Sequence, residues 1–293
     1  MVKLIPVVRV NEPTTRQVMD IANVIVIRLQ DFVSKYTFEP NFWFNRIAAA
    51  GGLHKYLKFS GVIILSLVMR DDIIFNFLPK NYANMINKLK PDFWTTVDGE
   101  TYEGEYSRSE KEIERCFAQT KEILSLSPHS VPIGHIKGCC PAQILAHCFR
   151  FKALGIQDFI FHTGDFLKRG DTNLINIARS YAYDIRKQAR TLILYGMGAP
   201  SRFLEFSFAD AFITFRHFVS ATHGLKIIGS KEFRNETGYN SKLVMENFLE
   251  LRNCVQKLNN QKTLFMKGGV CTWAADQEVV DQCMLQVKTK IKI

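Results

Sequence analysis

Short apolar runs alternate with longer amphipathic segments along most of the chain. Apolar runs of roughly four to eight residues predict strands, and longer segments with apolar residues three or four positions apart predict helices. The predicted strands are Leu4–Val10, Val62–Met69, Phe93–Val97, Pro132–Lys137, Asp158–His162, Thr191–Tyr195, Ala211–Phe215 and Leu264–Lys267, with Leu225–Ile228 as a competitor for a late position.

Three amphipathic segments predict long helices, namely Ser107–Leu126, Asp171–Gln188 and Tyr239–Leu258. Ser109 and Glu112 have the spacing of a capping box in the first segment, and Asp171 supplies an N-cap for the second. Strands that alternate with helices indicate parallel pairing through crossover helices. Roughly eight strands in this length predict a single (β/α)₈ barrel domain over residues 1–293, with an open doubly wound sheet as the second choice.

The composition agrees with a large folded core and adds a strong positive charge. Hydrophobic residues make up 47% of the chain, which excludes a disordered protein, and the formal net charge is +10 with a pI of about 9.2. This charge favours a polyanionic partner such as nucleic acid, although a merely basic protein is the alternative. The longest apolar runs are too short to cross a bilayer, so no membrane partner is expected. Seven irregularly spaced cysteines and no secretory signal favour a reduced, cytoplasmic protein.

The segments that follow the predicted strands are polar and rich in glycine. Barrel enzymes carry their chemistry in these segments, at the carboxyl ends of the strands. They read Asp98-Gly99-Glu100, Lys137-Gly138-Cys139, Thr163-Gly164-Asp165 and Gly196-Met197-Gly198-Ala199-Pro200. We therefore expect the functional site among these residues.

Five motifs follow one another in a recognisable order. They are Pro91 to Asp98 (PDFWTTVD), Ile133 to Gly138 (IGHIKG), Ala153 to Gly164 (ALGIQDFIFHTG), Leu194 to Pro200 (LYGMGAP) and Ala209 to Phe212 (ADAF). Their sequence and spacing resemble the tRNA-guanine transglycosylase superfamily over roughly residues 55 to 225. The chain leaves no room for the extra RNA-binding domains of the archaeal enzymes, so it is closest in form to the compact DNA 7-deazaguanine transglycosylases.

The resemblance implies a base-exchange reaction on nucleic acid, with DNA favoured over tRNA. In such a reaction a carboxylate attacks C1′ of the sugar and expels guanine, and a 7-deazaguanine base then replaces it. The target base must leave the stack to enter the pocket. The implied partners are nucleic acid and the 7-deazaguanine base, and a homodimer or a partner protein is also compatible with the family.

Asp98 and Asp210 are the catalytic candidates that the resemblance implies. Asp98 ends its strand and would accept hydrogen bonds from N1 and the exocyclic amine of the base. Asp210 would be the nucleophile, in the arrangement of the DNA-modifying relatives. The alternative for Asp98 is a carboxylate that caps the next turn, and the alternative for Asp210 is a structural role.

Other candidates lie in the same motifs. Those for substrate binding are Ser60, Gly99, Lys137, Gly138, Gly164, Asp165, Gly196 and Met197, and those for nucleic-acid binding are Arg202, Arg216, His217 and His223. Lys137 stands where the family commonly has glutamine, and it can donate to O6 of the base, hold a phosphate, or form an ion pair at the rim. The glycines allow close approach of a flat base or are ordinary turn residues, and the basic cluster is equally compatible with a solvated face. His135 and His162 are expected in the core or at the rim.

Three departures from the family pattern define the alternative functions. An early family acid is replaced by Phe59, and Ile213 stands where the commoner form has aspartate. Cys254, Cys271 and Cys283 are too scattered for the family zinc site, so no metal or cofactor is expected. The second hypothesis is therefore a weak or inactive homologue that acts as a nucleic-acid-binding or partner subunit. An unrelated barrel hydrolase or lyase is the third.

Overall fold

The computed structural model describes residues 1–34, 37–68, 77–102, 104–126, 129–167, 170–234 and 240–267. Of residues 165 and 261–267 it describes only the backbone. Two predicted features therefore lie outside the described part: the side chain of Asp165, and the cysteines Cys271 and Cys283.

Eight parallel strands close into a barrel in which each strand pairs with its neighbours in the sequence and the last pairs with the first. The strands are β1 Lys3–Val8, β2 Val24–Arg28, β3 Val62–Ser66, β4 Phe93–Thr95, β5 Val131–Ile136, β6 Asp158–His162, β7 Thr191–Tyr195 and β8 Ala211–Thr214. The predicted single (β/α)₈ architecture is confirmed. Two further strands, β9 Leu225–Ile228 and β10 Lys231–Arg234, form an antiparallel pair of their own.

Helices alternate with the barrel strands along the chain. They are α1 Thr15–Met19, a 3₁₀ turn at Leu29–Asp31, α2 Phe42–Ala49, α3 Leu53–Leu57, α4 Pro79–Leu89, α5 Tyr106–Ser125, α6 Pro141–Ala153, α7 Gly164–Leu167, α8 Thr172–Gln188, α9 Pro200–Phe203, α10 Arg216–Thr222 and α11 Ser241–Lys267. Asp171 caps α8 as predicted, since its carboxylate accepts the N–H groups of Asn173 and Leu174. Within the described ranges, no helix combines the length and the apolar character that crossing a membrane would require.

Three local predictions are wrong. Leu264–Lys267 belongs to α11 and is helical, and Leu225–Ile228 is a strand that lies outside the barrel. The missing barrel strand is β2, a five-residue run that the sequence analysis did not select. The predicted capping box of α5 is also absent, because the helix begins at Tyr106 and the Ser109 hydroxyl accepts the N–H of Tyr102 instead.

The core has an inner and an outer part. Side chains that point into the barrel form a plug of aliphatic residues: Ile5, Val7, Val26, Ile64, Ile133, Ile160, Ile193 and Ile213. A second, larger set of apolar residues packs between the strands and the helices. Because side chains alternate along a strand, the residue two positions beyond each plug residue also points inward, nearer the carboxyl end. The floor of any site at that end is therefore aliphatic.

Candidate functional site

A ring of polar side chains lies above the aliphatic plug. Two positions beyond plug residues, the strands carry Arg9, Arg28, Ser66, His135, His162 and Tyr195. Lys137 follows His135 at the same spacing, and Asp98 lies shortly after β4. The change from aliphatic to charged residues marks the carboxyl mouth of the barrel as the candidate site.

Asp98 is the centre of one half of this mouth. Its side chain is 11% exposed, and Lys137 Nζ lies 2.9 Å from its Oδ1 atom. The same oxygen accepts the N–H of Gly99 at 2.9 Å, and Nδ1 of His135 lies 3.4 Å from it. The contacts described for this carboxylate converge on Oδ1, so Oδ2 is the oxygen placed to accept from a ligand.

The charge of Asp98 is maintained by its neighbours. Burial raises the pKa of this carboxyl, but its interactions with His135 and with the charged Lys137 bring the pKa down to about 2. Burial also lowers the pKa of His135 to about 3, so this imidazole is neutral at pH 7. The positive charge that keeps Asp98 ionised at neutral pH is therefore that of Lys137.

Two arginines form the other half of the mouth. The guanidinium carbons of Arg28 and Arg9 lie 4.5 Å and 5.4 Å from the ring centroid of Phe215. Arg28 donates to Asp31 at 3.1 Å, whereas the guanidinium of Arg9 forms no hydrogen bond within the described residues. Burial raises the pKa of Asp31, while Arg28 and Arg9 oppose that rise.

Tyr195 connects the two halves. Burial raises the pKa of its phenol to about 12, a hydrogen bond with Ser66 opposes the rise, and the charges of Arg28, Asp31 and Asp98 all act on it. Asp31 follows β2 and Asp98 follows β4, so both lie at the carboxyl end of the barrel. The two carboxylates therefore belong to one mouth.

Asp210 is not part of this mouth, and the expectation that it shares a pocket with Asp98 is wrong. It directly precedes β8, so it lies at the amino end of the barrel. Its Oδ2 atom accepts the N–H of Leu192 at 2.8 Å, and Arg186 Nη1 lies 3.6 Å from it. Asp98 follows β4 at the opposite end.

Asp92 has the same arrangement as Asp210, half a barrel away. It directly precedes β4, and its carboxylate accepts the N–H of Ile63 at 2.7 Å. In both cases the carboxylate accepts the backbone N–H of the second residue of the preceding barrel strand. Asp210 is therefore a structural carboxylate that fixes the register of two strands, which was its alternative interpretation.

Ser60 and Phe59 also lie at the amino end. Both precede β3, Ser60 is exposed, and the Phe59 side chain is buried in the outer core. The prediction that Ser60 binds substrate at the mouth is wrong, because β3 separates it from that end. The residue that β3 presents at the mouth is Ser66.

The predicted glycines divide into two groups. A Cβ on Gly99 would lie 2.5 Å from Sγ of Cys116, and a Cβ on Gly138 would lie 2.9 Å from the N atom of Ile144. These two glycines allow helix packing and do not open the site to a ligand, which corrects their predicted role. Gly164 and Gly196 lie at the mouth, where a Cβ on Gly196 would be 2.9 Å from the Cα of Gly164.

Met197 is placed in the outer core. It is fully buried among the residues between the strands and helices, and its N–H donates to the carbonyl of Ile213. Its side chain cannot contact a ligand at the mouth, so its predicted role is wrong.

The four predicted nucleic-acid contacts do not form one cationic surface. Arg202 is paired with Glu205, and Arg216 is paired with Glu232. His217 is buried, and burial lowers its pKa to about 3, so it is neutral and cannot contact phosphate. His223 is exposed at the end of α10. The prediction for His217 is wrong, and both arginines have acidic partners.

Sequence reasoning missed much of the mouth. Arg9, Arg28, Asp31 and Ser66 lie outside the motifs that carry the resemblance, and Tyr195, which lies inside one of them, was not selected either. Four of them can be found from the pattern of the strands. In each of these strands aliphatic residues occupy every second position, and the next position in that series holds a polar residue.

Comparison with known proteins found no matching family model and no significantly similar curated protein. Among the residues that the structure describes, no group of three or more histidine, cysteine and acidic side chains is arranged to hold a metal ion. The geometry of the mouth and the sequence motifs are thus the basis for a functional proposal.

Proposed function

We propose that the mouth of the barrel binds a guanine-type base through Asp98 and Lys137. The observation that carries the proposal is this pair, an ionised and mostly buried carboxylate with an ammonium group 2.9 Å away, at the end where barrels bind their ligands. Guanine presents an N1–H and an amino group beside the O6 acceptor on one edge. Oδ2 of Asp98 can accept from the two donors while Lys137 donates to O6.

The resemblance to transglycosylases and the charge of +10 extend this proposal to nucleic acid, with guanine in DNA or tRNA as the recognised base. We propose the base-binding homologue over the base-exchanging enzyme. The reason is the position of Asp210, because a nucleophile at the amino end cannot reach a sugar whose base is held at the carboxyl end.

Calorimetric titration with guanine, hypoxanthine and adenine tests this proposal. We expect guanine to bind best, since hypoxanthine lacks the amino group and adenine lacks O6. Asp98→Asn should weaken guanine binding at least about tenfold, because hydrogen bonds to a charged group are lost. Asp210→Asn is the matched control and should bind guanine like the wild type. Equal affinity for the three bases would contradict the proposal.

Base exchange is the second candidate, favoured by one observation. Asp31 is another carboxylate at the same mouth, and its Oδ2 atom has no hydrogen-bond partner in the described part of the chain. If Asp31 is the nucleophile, labelled guanine should enter DNA or tRNA with the wild type and Asp210→Asn, but not with Asp31→Asn. Absence of exchange by the wild type on both nucleic acids would exclude this candidate.

A further inference from the structure

We propose that Arg9, supported by Arg28 and Phe215, forms a phosphate subsite across the mouth from Asp98 and Lys137. The subsite deepens the proposed function, on which it rests for the placement of the base. It assigns the ligand class as a guanine nucleotide, in which the base lies at Asp98 and the phosphate at Arg9.

The hydrogen-bonding state of Arg9 is the first observation. Among the residues that the structure describes, its guanidinium has no hydrogen-bond partner, and of its nitrogens Nε alone is both buried and unpartnered there. The two Nη atoms are therefore unbonded and accessible. A guanidinium with two open donors matches two oxygens of a phosphate.

The position of Arg9 is the second observation. Its guanidinium lies 4.6 Å from the ring centroid of Phe218 and 5.4 Å from that of Phe215, so aromatic rings hold its face while its edge stays available. The strand that carries Arg9 is β1, which in a closed barrel of eight strands lies opposite β5, the strand that leads to Lys137. An anion at Arg9 and a base at Lys137 would thus occupy opposite sides of one mouth.

The charge balance is the third observation. The ion pair between Arg28 and Asp31 offsets one of the two positive charges on this side and leaves that of Arg9. On the other side, Lys137 is paired with Asp98. Among these five described side chains, the uncompensated charge is therefore positive, and it lies where a phosphate would complement it.

The test compares guanosine, guanosine 5′-monophosphate, a short single-stranded DNA with one guanine, and inorganic phosphate. We expect the monophosphate to bind about tenfold more tightly than guanosine, from two charge-assisted hydrogen bonds. Arg9→Gln should remove this preference and leave guanosine binding unchanged. Arg9→Lys, which keeps the charge, should restore part of it. Arg179→Gln, which removes an exposed arginine from α8, is the control for net charge.

The outcomes separate this subsite from the base site. Equal affinity for guanosine and its monophosphate, or an unchanged preference in folded Arg9→Gln, overturns the phosphate subsite and leaves the base site standing. No binding of guanosine, together with phosphate binding that depends on Arg9, supports the subsite and removes the base site. If the wild type binds neither guanosine 5′-monophosphate nor inorganic phosphate, the phosphate subsite is overturned. If only the DNA shows the dependence on Arg9, the phosphate comes from a nucleic-acid backbone.

Discussion

The ammonium group of Lys137 lies next to a carboxylate that burial alone would push toward protonation. The other nearby base, His135, is neutral at pH 7 because burial lowers its pKa to about 3. Recognition of N–H donors requires an ionised Asp98. In the base site that we propose, Lys137 therefore donates to the ligand and also helps to keep Asp98 charged.

We predict that Lys137→Met makes guanine binding sensitive to acid. In the wild type the pKa of Asp98 is about 2, so the carboxylate stays ionised and its affinity for guanine should not fall between pH 8 and pH 5 because of this group. Lys137 is one of the groups that lower the pKa of Asp98, so without it this pKa should rise and binding should weaken as the pH falls through this range. Calorimetry at several pH values measures the effect, with Lys152→Met, an exposed lysine of α6, as the control. Identical pH profiles for wild type and Lys137→Met would contradict this role.

At the scale of elements, two aspartates at the amino end of the barrel each link neighbouring strands through a hydrogen bond to the backbone. Asp92 and Asp210 each begin a strand and each accept a backbone N–H of the strand before it. A strand edge at this end has no other partner for that N–H, and an unpaired backbone donor is costly. The position of an aspartate relative to its strand thus decides whether it is structural or available to a ligand.

We predict that Asp210→Ala lowers the free energy of unfolding by about 1 to 2 kcal/mol, the cost of leaving the N–H of Leu192 unpaired. Asp210→Asn keeps an oxygen acceptor and should cost less. Asp92→Ala should cost at least as much as Asp210→Ala, because it leaves the N–H of Ile63 unpaired in the same way and also removes the contact of Asp92 Oδ2 with His54 Nε2 at 3.0 Å. Urea unfolding measures these changes. A variant Asp210→Ala that keeps the stability of the wild type but loses guanine binding would refute the structural role.

Gly164 and Gly196 fix the spacing between the ends of β6 and β7. Gly196 has a φ of +87°, and a Cβ there would lie 2.9 Å from both Cα and N of Gly164. Gly155 offers a comparison, since its φ is +80° and nothing lies within 4 Å of its added Cβ. A side chain at either position must adopt a positive φ, but only at Gly196 would its Cβ also collide with the backbone of Gly164.

We predict that Gly196→Ala is more destabilising than Gly155→Ala. Both substitutions place alanine in the left-handed region, which costs about 1 to 2 kcal/mol. Gly196→Ala must also move the backbone of Gly164, which should add at least about 1 kcal/mol by the usual cost of overpacking. Thermal unfolding of the two variants gives the difference directly. If the two variants are equally destabilised, the backbone of Gly164 moves away from the added Cβ at no cost, which would contradict the prediction.

At the scale of the whole molecule, the barrel was predictable from sequence because short apolar runs alternate regularly with longer amphipathic segments. The exceptions have physical causes. Val24–Arg28 is a short apolar run, a pattern that strands share with buried helix segments, and the apolar residues of Leu264–Lys267 continue the period of a long helix. A short apolar run does not reveal by itself whether it is a strand.

The site was predictable where a motif coincided with a carboxyl strand end, as at Asp98 and Lys137. Asp210 was assigned to the site although it directly precedes its strand, and in a parallel barrel such a residue lies at the amino end. The alternation in the sequence marks Arg9 and Arg28 as inward-facing, but their position across the mouth from β5 follows only from closure of the barrel.

Three buried histidines make the whole fold sensitive to acid. Burial lowers the pKa of His135 and His217 to about 3 and that of His147 to about 4. Each folded pKa lies below the usual value of 6.5, so the unfolded chain takes up these protons first as the pH falls. Stability from the neutral imidazoles is therefore complete above about pH 6.5 and declines toward pH 4, by up to about 1.4 kcal/mol per pH unit for each histidine.

We predict that His217→Phe makes this decline shallower by about one third, since one of the three protons is no longer taken up. His217 suits the substitution, because its Nδ1 atom has no hydrogen-bond partner in the described ranges and its ring centroid lies 5.3 Å from that of Phe248. The free energy of unfolding in urea, measured at pH 7, 6 and 5, gives the slope for each variant. His223→Gln, at an exposed position, is the control and should leave the slope unchanged. If His217→Phe keeps the slope of the wild type, the acid sensitivity arises from other groups.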